Sequence, residues 1–205
     1  MAWKYALSAA VLVAGLLGGL AYSILSDRGD ARFAQCRETT VAGALGGPFE
    51  LVDHQGRAIT DDALFVRPSI VYFGYTFCPD VCPWDAARNA DAVDLLTEMG
   101  YEAQPVFISV DPERDTPEVL ANFVGNLHPQ MIGLTGSPEQ VRAASQAYRT
   151  YFRQHDAAED DDFYLVDHST FSYLVLPHHG VVEVFRRSLT AEEIATATAC
   201  FIEAS

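Results

Sequence analysis

Basic residues are scarce in this chain: 13 lysines and arginines stand against 28 aspartates and glutamates, a formal net charge of −15 over 205 residues. A surface of that sign repels phosphate backbones, which argues against nucleic acid as a partner. Missing too are a Gly/Ser-rich or Pro-rich linker that would divide the chain and any internal repeat, and no receiver or output segment of a signalling relay is visible. Charge is absent altogether from Ala6 to Leu25. As a helix those 20 residues would reach roughly 30 Å, one hydrocarbon core.

That run reads as a single membrane-spanning anchor. Lys4 and the α-amino group precede it, and Asp27, Arg28 and Asp30 follow, so the positive-inside rule puts residues 1–5 in the cytoplasm and the rest on the extracytoplasmic side of the membrane. A cleaved signal peptide with Ala21-Tyr22-Ser23 as its small-residue site is the rival reading, but the apolar run exceeds a usual signal core. A lipid anchor on Cys36 fits poorly, because Arg32-Phe33-Ala34-Gln35 precedes it, well past the apolar run. Residues 26–47 lack apolar periodicity and read as a tether, leaving residues 48–205 as one globular domain. Residues 27–205 carry 12 basic and 28 acidic side chains, a net −16.

Within the domain, apolar patterning predicts strands at Pro48–Asp53, Ser69–Tyr75, Gln104–Val110 and Met131–Leu134, alternating with helices at Asp85–Met99, Thr116–Val124 and from Ser137 to about Phe152. Ser137, Pro138 and Gln140 spell a capping box with proline in the first turn. The acidic stretch Asp156–Asp162 reads as a solvated loop, with a docking patch for a basic partner as the functional alternative. Extended segments at Phe163–Val166, Thr170–Leu176 and Val181–Arg186 follow, the last two joined by a turn at Pro177-His178-His179-Gly180, and Thr190–Ile202 closes the chain as a helix. The expected fold class is α/β: a thioredoxin-like central mixed sheet flanked by helices, preceded by the transmembrane helix.

Four cysteines are present. Cys78 and Cys82 lie in Phe77-Cys78-Pro79-Asp80-Val81-Cys82-Pro83, between a buried-type strand and a helix. Two thiols at a helix N-terminus make either a redox pair or half of a soft-metal site. Helical i,i+4 spacing separates Cβ atoms by about 5–6 Å, wider than the roughly 3.5–4.5 Å of a disulfide, so oxidation needs local adjustment and metal binding tolerates the spacing better. Spacing alone chooses neither. Pro79, Asp80 and Pro83 mark a loop and speak against two buried structural cysteines. Cys36 and Cys200 stand far apart; a bridge from tether to last helix and two separate thiols both remain open. A peroxidase would want threonine three residues before Cys78, where Tyr75 stands.

A soft metal needs a third ligand. His54, His128, His178 and His179 occur in turn-like contexts and His155 borders the acidic loop, so all five read as solvated. His168, in Val166-Asp167-His168-Ser169 between two extended segments, is the candidate; with both thiolates it makes a Cys2His set that suits Cu(I) and also serves Zn(II).

Cys78-Pro79-Asp80-Val81-Cys82-Pro83, Ser109-Val110-Asp111-Pro112-Glu113-Arg114-Asp115-Thr116-Pro117 and Val166-Asp167-His168-Ser169, in that order and spacing, resemble the Sco/SenC family from about Phe49 to the C-terminus. The resemblance implies a membrane-anchored, thioredoxin-like protein that binds copper, as Cu(I) or Cu(II), through Cys78, Cys82 and His168. It implies work on the dinuclear copper site of a cytochrome c oxidase subunit, as copper carrier or, alternatively, as a thiol-disulfide oxidoreductase in which Cys78 attacks and Cys82 resolves. Partners would be that subunit, with periplasmic copper chaperones or thiol reductants. Asp111 matches the family's acidic motif, and a charge-paired structural loop of Asp111, Arg114 and Asp115 is as good a reading as a site role. Trp84 replaces a small hydroxylated residue, so it covers the site, meets a partner, or packs at the helix start.

Overall fold

In the computed structural model, the described residues are Val13, Gly15, Gly18, Gly19, 32–37, 45–155 and 164–205. Among them no helix is long and apolar enough to cross a membrane. Apart from those first four positions, the expected anchor Ala6–Leu25 lies outside the described residues, as do the acidic stretch Asp156–Asp162 and much of the tether.

The strands are β1 (Glu50–Asp53), β2 (Ala58–Thr60), β3 (Ser69–Gly74), β4 (Gln104–Ser109), β5 (Ile132–Thr135), β6 (Phe152–Gln154), β7 (Val166–His168), β8 (Ser172–Leu176) and β9 (Gly180–Phe185). The helices are α1 (Asp61–Leu64), α2 (Val81–Glu98), α3 (Pro117–Leu127), α4 (Pro138–Ala147) and α5 (Ala191–Ala204). Seven strands form a mixed sheet in the order β2-β1-β5-β4-β3-β8-β9. β3, β4 and β5 run parallel, while β1, β8 and β9 join antiparallel. This is the expected thioredoxin-like α/β arrangement.

β3 and β4 are buried at every position because helices cover both faces, hence their unbroken apolar and β-branched runs. On one face Ile70 joins Ala92, Val93 and Leu96 of α2 and Ile194 and Phe201 of α5. On the other, Phe73 meets Tyr148 at the end of α4, ring centroids 5.2 Å apart. Strand β3 therefore points its C-terminal end, and the loop that follows, at the first turn of α2.

The capping box at Ser137 and Gln140 forms as expected. α4 nevertheless stops at Ala147 and not near Phe152, because Arg149 takes a left-handed φ of 50° and Ser145 Oγ donates to the Thr150 carbonyl. The freed chain becomes β6, which the sequence pattern did not announce. β6 pairs with β7, whose range Val166–His168 begins at the last residue of the expected strand Phe163–Val166 and runs two residues past it. Short β2 and α1 were likewise not expected.

Cys36 and Cys200 are bonded, with Cα atoms 5.7 Å apart. The bridge fastens residues 32–37, part of the expected tether, to α5, where Phe33 and Cys36 are buried and Phe33 packs against His179 and Phe201.

Candidate metal and thiol site

α2 begins one turn earlier than its apolar stripe suggested, so Cys82 stands inside the first turn and Cys78 in the loop just before it. The nominal N-cap, Asp80, makes no side-chain cap bond. Cys78 Sγ serves instead, accepting from the Cys82 N–H at 3.5 Å. Pro79 and Asp80 are exposed as the loop reading required, yet both sulfurs are covered: Cys78 is 8% exposed and Cys82 0%.

His168 arrives from the far side, as the last residue of β7, and places Nε2 3.1 Å from Cys82 Sγ. Its Nδ1 lies 2.9 Å from the Ser169 carbonyl. A carbonyl only accepts, so the hydrogen-bond network assigns the proton to Nδ1 and leaves the Nε2 lone pair facing the thiols. The ring is held edge-on by Tyr72 and Tyr75, at centroid distances of 6.1 and 5.8 Å.

The three ligand atoms lie within 4.8 Å of one another, the one group of its kind among the described residues. A trigonal site with arms of about 2.0–2.3 Å has edges of about 4 Å, so this constellation closes on a metal with small side-chain movement. Two sulfurs and one imidazole select a soft or borderline cation.

The thiols differ electrically. The Cys78 thiol is pulled far down, chiefly by the hydrogen bond from the Cys82 side chain, against the opposing effect of burial; contacts from the backbone at Cys82 and Asp80 add to it. Cys82 is pushed up by the same bond and by burial. The reduced pair thus carries one thiolate, on Cys78, and one proton, on Cys82.

The Tyr72–Asp85 contact beside the site escaped sequence reasoning. Tyr72 donates its hydroxyl to buried Asp85 at 3.1 Å, and Asp85 also meets Arg88 and Arg187 at 3.4 Å each. A polar residue on the buried face of α2 was the available signal. Asp115 accepts from the Ser109 and Thr76 hydroxyls at 2.6 Å and from the Thr76 N–H at 3.0 Å, tying β4's exit to the thiol loop. Asp111 pairs with Arg114 and accepts from the Tyr164 hydroxyl. Asp111 and Arg114 are thus charge-paired as the structural reading had it, whereas Asp115 is held by hydroxyls and a backbone N–H, and Asp111 is not among the clustered ligands.

Trp84 is 75% exposed, which rules out packing at the helix start, and Phe77 is also exposed. The other histidines stay outside the site, but not all are solvated. His128 is buried, because its Nε2 contacts Asp94 at 3.0 Å and its Nδ1 accepts from the Gln130 N–H, closing the turn after α3. His54 is partly buried, accepting from the Gly133 N–H.

The SCO1/SenC family model matches residues 37–203. Protein SenC of Rhodobacter capsulatus is 46% identical over 201 residues, spanning 97% of this chain and 90% of the relative. Among solved structures, copper-bound ScoI of Arabidopsis thaliana superposes with a TM-score of 0.73 at 38% identity, covering 78% of this chain and 99% of that one. Copper-bound yeast Sco1 gives 0.71 at 36% identity, covering 78% and 88%.

Proposed function

The chain belongs to the SCO1/SenC family, and on that premise we propose that it carries copper and assists maturation of the dinuclear copper site of cytochrome c oxidase. Cys78, Cys82 and His168 hold the ion as cargo. The observation that carries this reading is the convergence of two sulfurs and an unprotonated imidazole nitrogen within 4.8 Å, from segments 86 residues apart. Copper is bound by the Arabidopsis and yeast relatives, which supports the choice of metal.

Loading displaces the proton on Cys82 and uses the Cys78 thiolate directly, so acid opposes binding. Transfer proceeds as the acceptor's own ligands replace these three one at a time. Exposed Phe77 and Trp84 flank the thiols, where the acceptor must approach. Residues 48–205 form the working domain, held on the outer side of the inner membrane by the anchor 6–25 and the tether 26–47.

A second reading rests on the acidity of Cys78. Its thiolate attacks a disulfide of the oxidase subunit, forming a mixed disulfide and releasing one thiolate; Cys82 then loses its proton and attacks the Cys78 sulfur, releasing the second. The subunit gains two electrons, and Cys78 and Cys82 end as a disulfide.

Metal analysis and absorption spectroscopy of the reduced full-length chain test the copper reading. About one copper per chain is expected, and His168→Ala should weaken retention at least about tenfold while both thiols still titrate. Unchanged stoichiometry and affinity in that variant would overturn the ligand set. Activity that survives His168→Ala, with a mixed disulfide trapped by Cys82→Ser, would favour thiol reduction.

A further inference from the structure

The histidine does not ride on the central sheet. Among the described residues β6 and β7 pair only with each other, so His168 reaches the thiols on a two-stranded ribbon with no strand bonds to the seven-stranded sheet. Such a ribbon is marginal alone and needs outside contacts to hold its place.

Several of those contacts converge on one polar side chain, Arg114. The Arg114 guanidinium lies 3.5 Å from the centre of the Tyr164 ring, and its Nη1 donates to the Tyr164 carbonyl at 3.0 Å. Tyr164, two residues before β7, also donates its hydroxyl to Asp111 at 2.7 Å, and Asp111 is ion-paired with Arg114. The same guanidinium lies 4.9 Å from the Phe77 ring and 5.7 Å from the Tyr75 ring, both on the thiol loop. The ribbon's other ties are the Val166 N–H to the Tyr75 hydroxyl, long at 3.4 Å, the packing of Val166 and Phe152 on the main apolar cluster, and the contacts of His168 itself with Cys82, Tyr72 and Tyr75. Arg114 is thus mostly buried, 13% exposed at its side chain, between rings of the loop that bears Cys78 and the ring that leads to His168. A planar guanidinium can stack on a ring and donate sideways at once; an ammonium cannot.

We propose that Arg114, fixed by Asp111, is a positioning residue for His168: it latches the β6–β7 ribbon to the thiol loop and so keeps the imidazole in register with the two sulfurs. Only the metal half of this proposal rests on the copper reading. Without the latch the chain still folds and still presents two thiols, but the third ligand is no longer held in place.

Two measurements on full-length Arg114→Ala and Tyr164→Phe decide it. In the metal-free protein, amide hydrogen exchange at Arg153, Asp167 and Ser169, which donate across the ribbon, should accelerate at least about tenfold in Arg114→Ala, and less in Tyr164→Phe, while amides of β3 and β4 keep wild-type rates. In copper competition Arg114→Ala should lose about 10–100-fold in affinity, and adding it to His168→Ala should cost nothing further, because both remove the same ligand. Arg114→Lys should not restore affinity. Wild-type exchange in the ribbon, or losses that add in the double variant, would overturn the latch. Failure of the wild-type chain to bind copper would sink the proposed function instead, and the exchange measurement would still decide the latch.

Discussion

Two pairs of cysteines share this chain and have opposite fates. Cys36 and Cys200 are 164 residues apart and bonded; Cys78 and Cys82 are four apart and free. Sequence proximity is therefore no guide to bonding. The distant pair is brought together by packing, with Phe33 against Phe201 and the bridge at the edge of the apolar cluster of Ile70, Leu176 and Ile194. The near pair is held by the geometry of a helix start, which points two sulfurs at one imidazole without forcing them into bonding contact. Surroundings complete the contrast: one pair lies between an apolar cluster and a surface recess lined by Glu192, Glu193 and Thr196, the other is enclosed by Tyr72, Tyr75, His168 and backbone N–H groups that distinguish one thiol from the other.

If the distant pair is a clamp and the near pair a working site, each can be damaged without the other. The largest effect is expected from Cys36→Ser with Cys200→Ser. Removing a cross-link that closes so long a loop should lower stability by about 2–5 kcal/mol, read by urea denaturation under non-reducing conditions. Copper affinity and Cys78 reactivity should not change; their loss would show that the bridge shapes the site and would dissolve the contrast.

Gly74→Ala attacks the other pair from beneath. An added Cβ at this end of β3 would lie 2.8 Å from Tyr72 Cε1 and 3.0 Å from both Cys82 Sγ and Phe107 Cε2. The cost should be about 1–3 kcal/mol of stability, with weaker copper retention because Cys82 must move, while Cys36–Cys200 stays intact. Wild-type stability together with wild-type retention would mean that the packing under Cys82 is looser than these distances imply.

What the sequence disclosed tracks how local the governing physics is. Buried runs such as Ser69–Gly74 and the Ser137 capping box depend on neighbours a few residues away and formed as expected, whereas α2 starts one turn earlier than its apolar stripe and takes Cys82 into the helix. His168 could be singled out only by its place between two strands, and the family resemblance, not periodicity, made it a ligand. The β6–β7 ribbon was missed because its cause is the left-handed turn at Arg149 and pairing across the 11 residues between Gln154 and Val166. His128 finds its Nε2 partner in Asp94, 34 residues away, and the bond of Cys36 to Cys200 needs residues 32–37 to meet α5. Nothing local encodes either.

The smallest expected effect is also the sharpest divider between the pairs. Hydrogen bonding from the Cys82 side chain lowers Cys78 to about 3, far below the roughly 8.5 of an ordinary thiol, so Cys78 remains a thiolate at any pH above the lower value. Alkylation of the reduced protein by iodoacetamide between about pH 5 and pH 8 should therefore be confined to Cys78 and nearly flat with pH, whereas an ordinary thiol speeds up about tenfold per unit. Cys82, raised and fully covered, should react only after unfolding, and the bonded pair not at all. The stability signs follow. The depressed Cys78 contributes stability fully above the ordinary thiol value and loses it as pH falls through the folded one; the raised Cys82 contributes below the ordinary value and loses its share as pH rises beyond it. Taken together, the two should make the reduced chain most stable, as far as this pair is concerned, near about pH 8.5. A sigmoidal alkylation profile centred near that same pH would mean that the thiols titrate independently, and the near pair would then differ from the distant one only in lacking a bond.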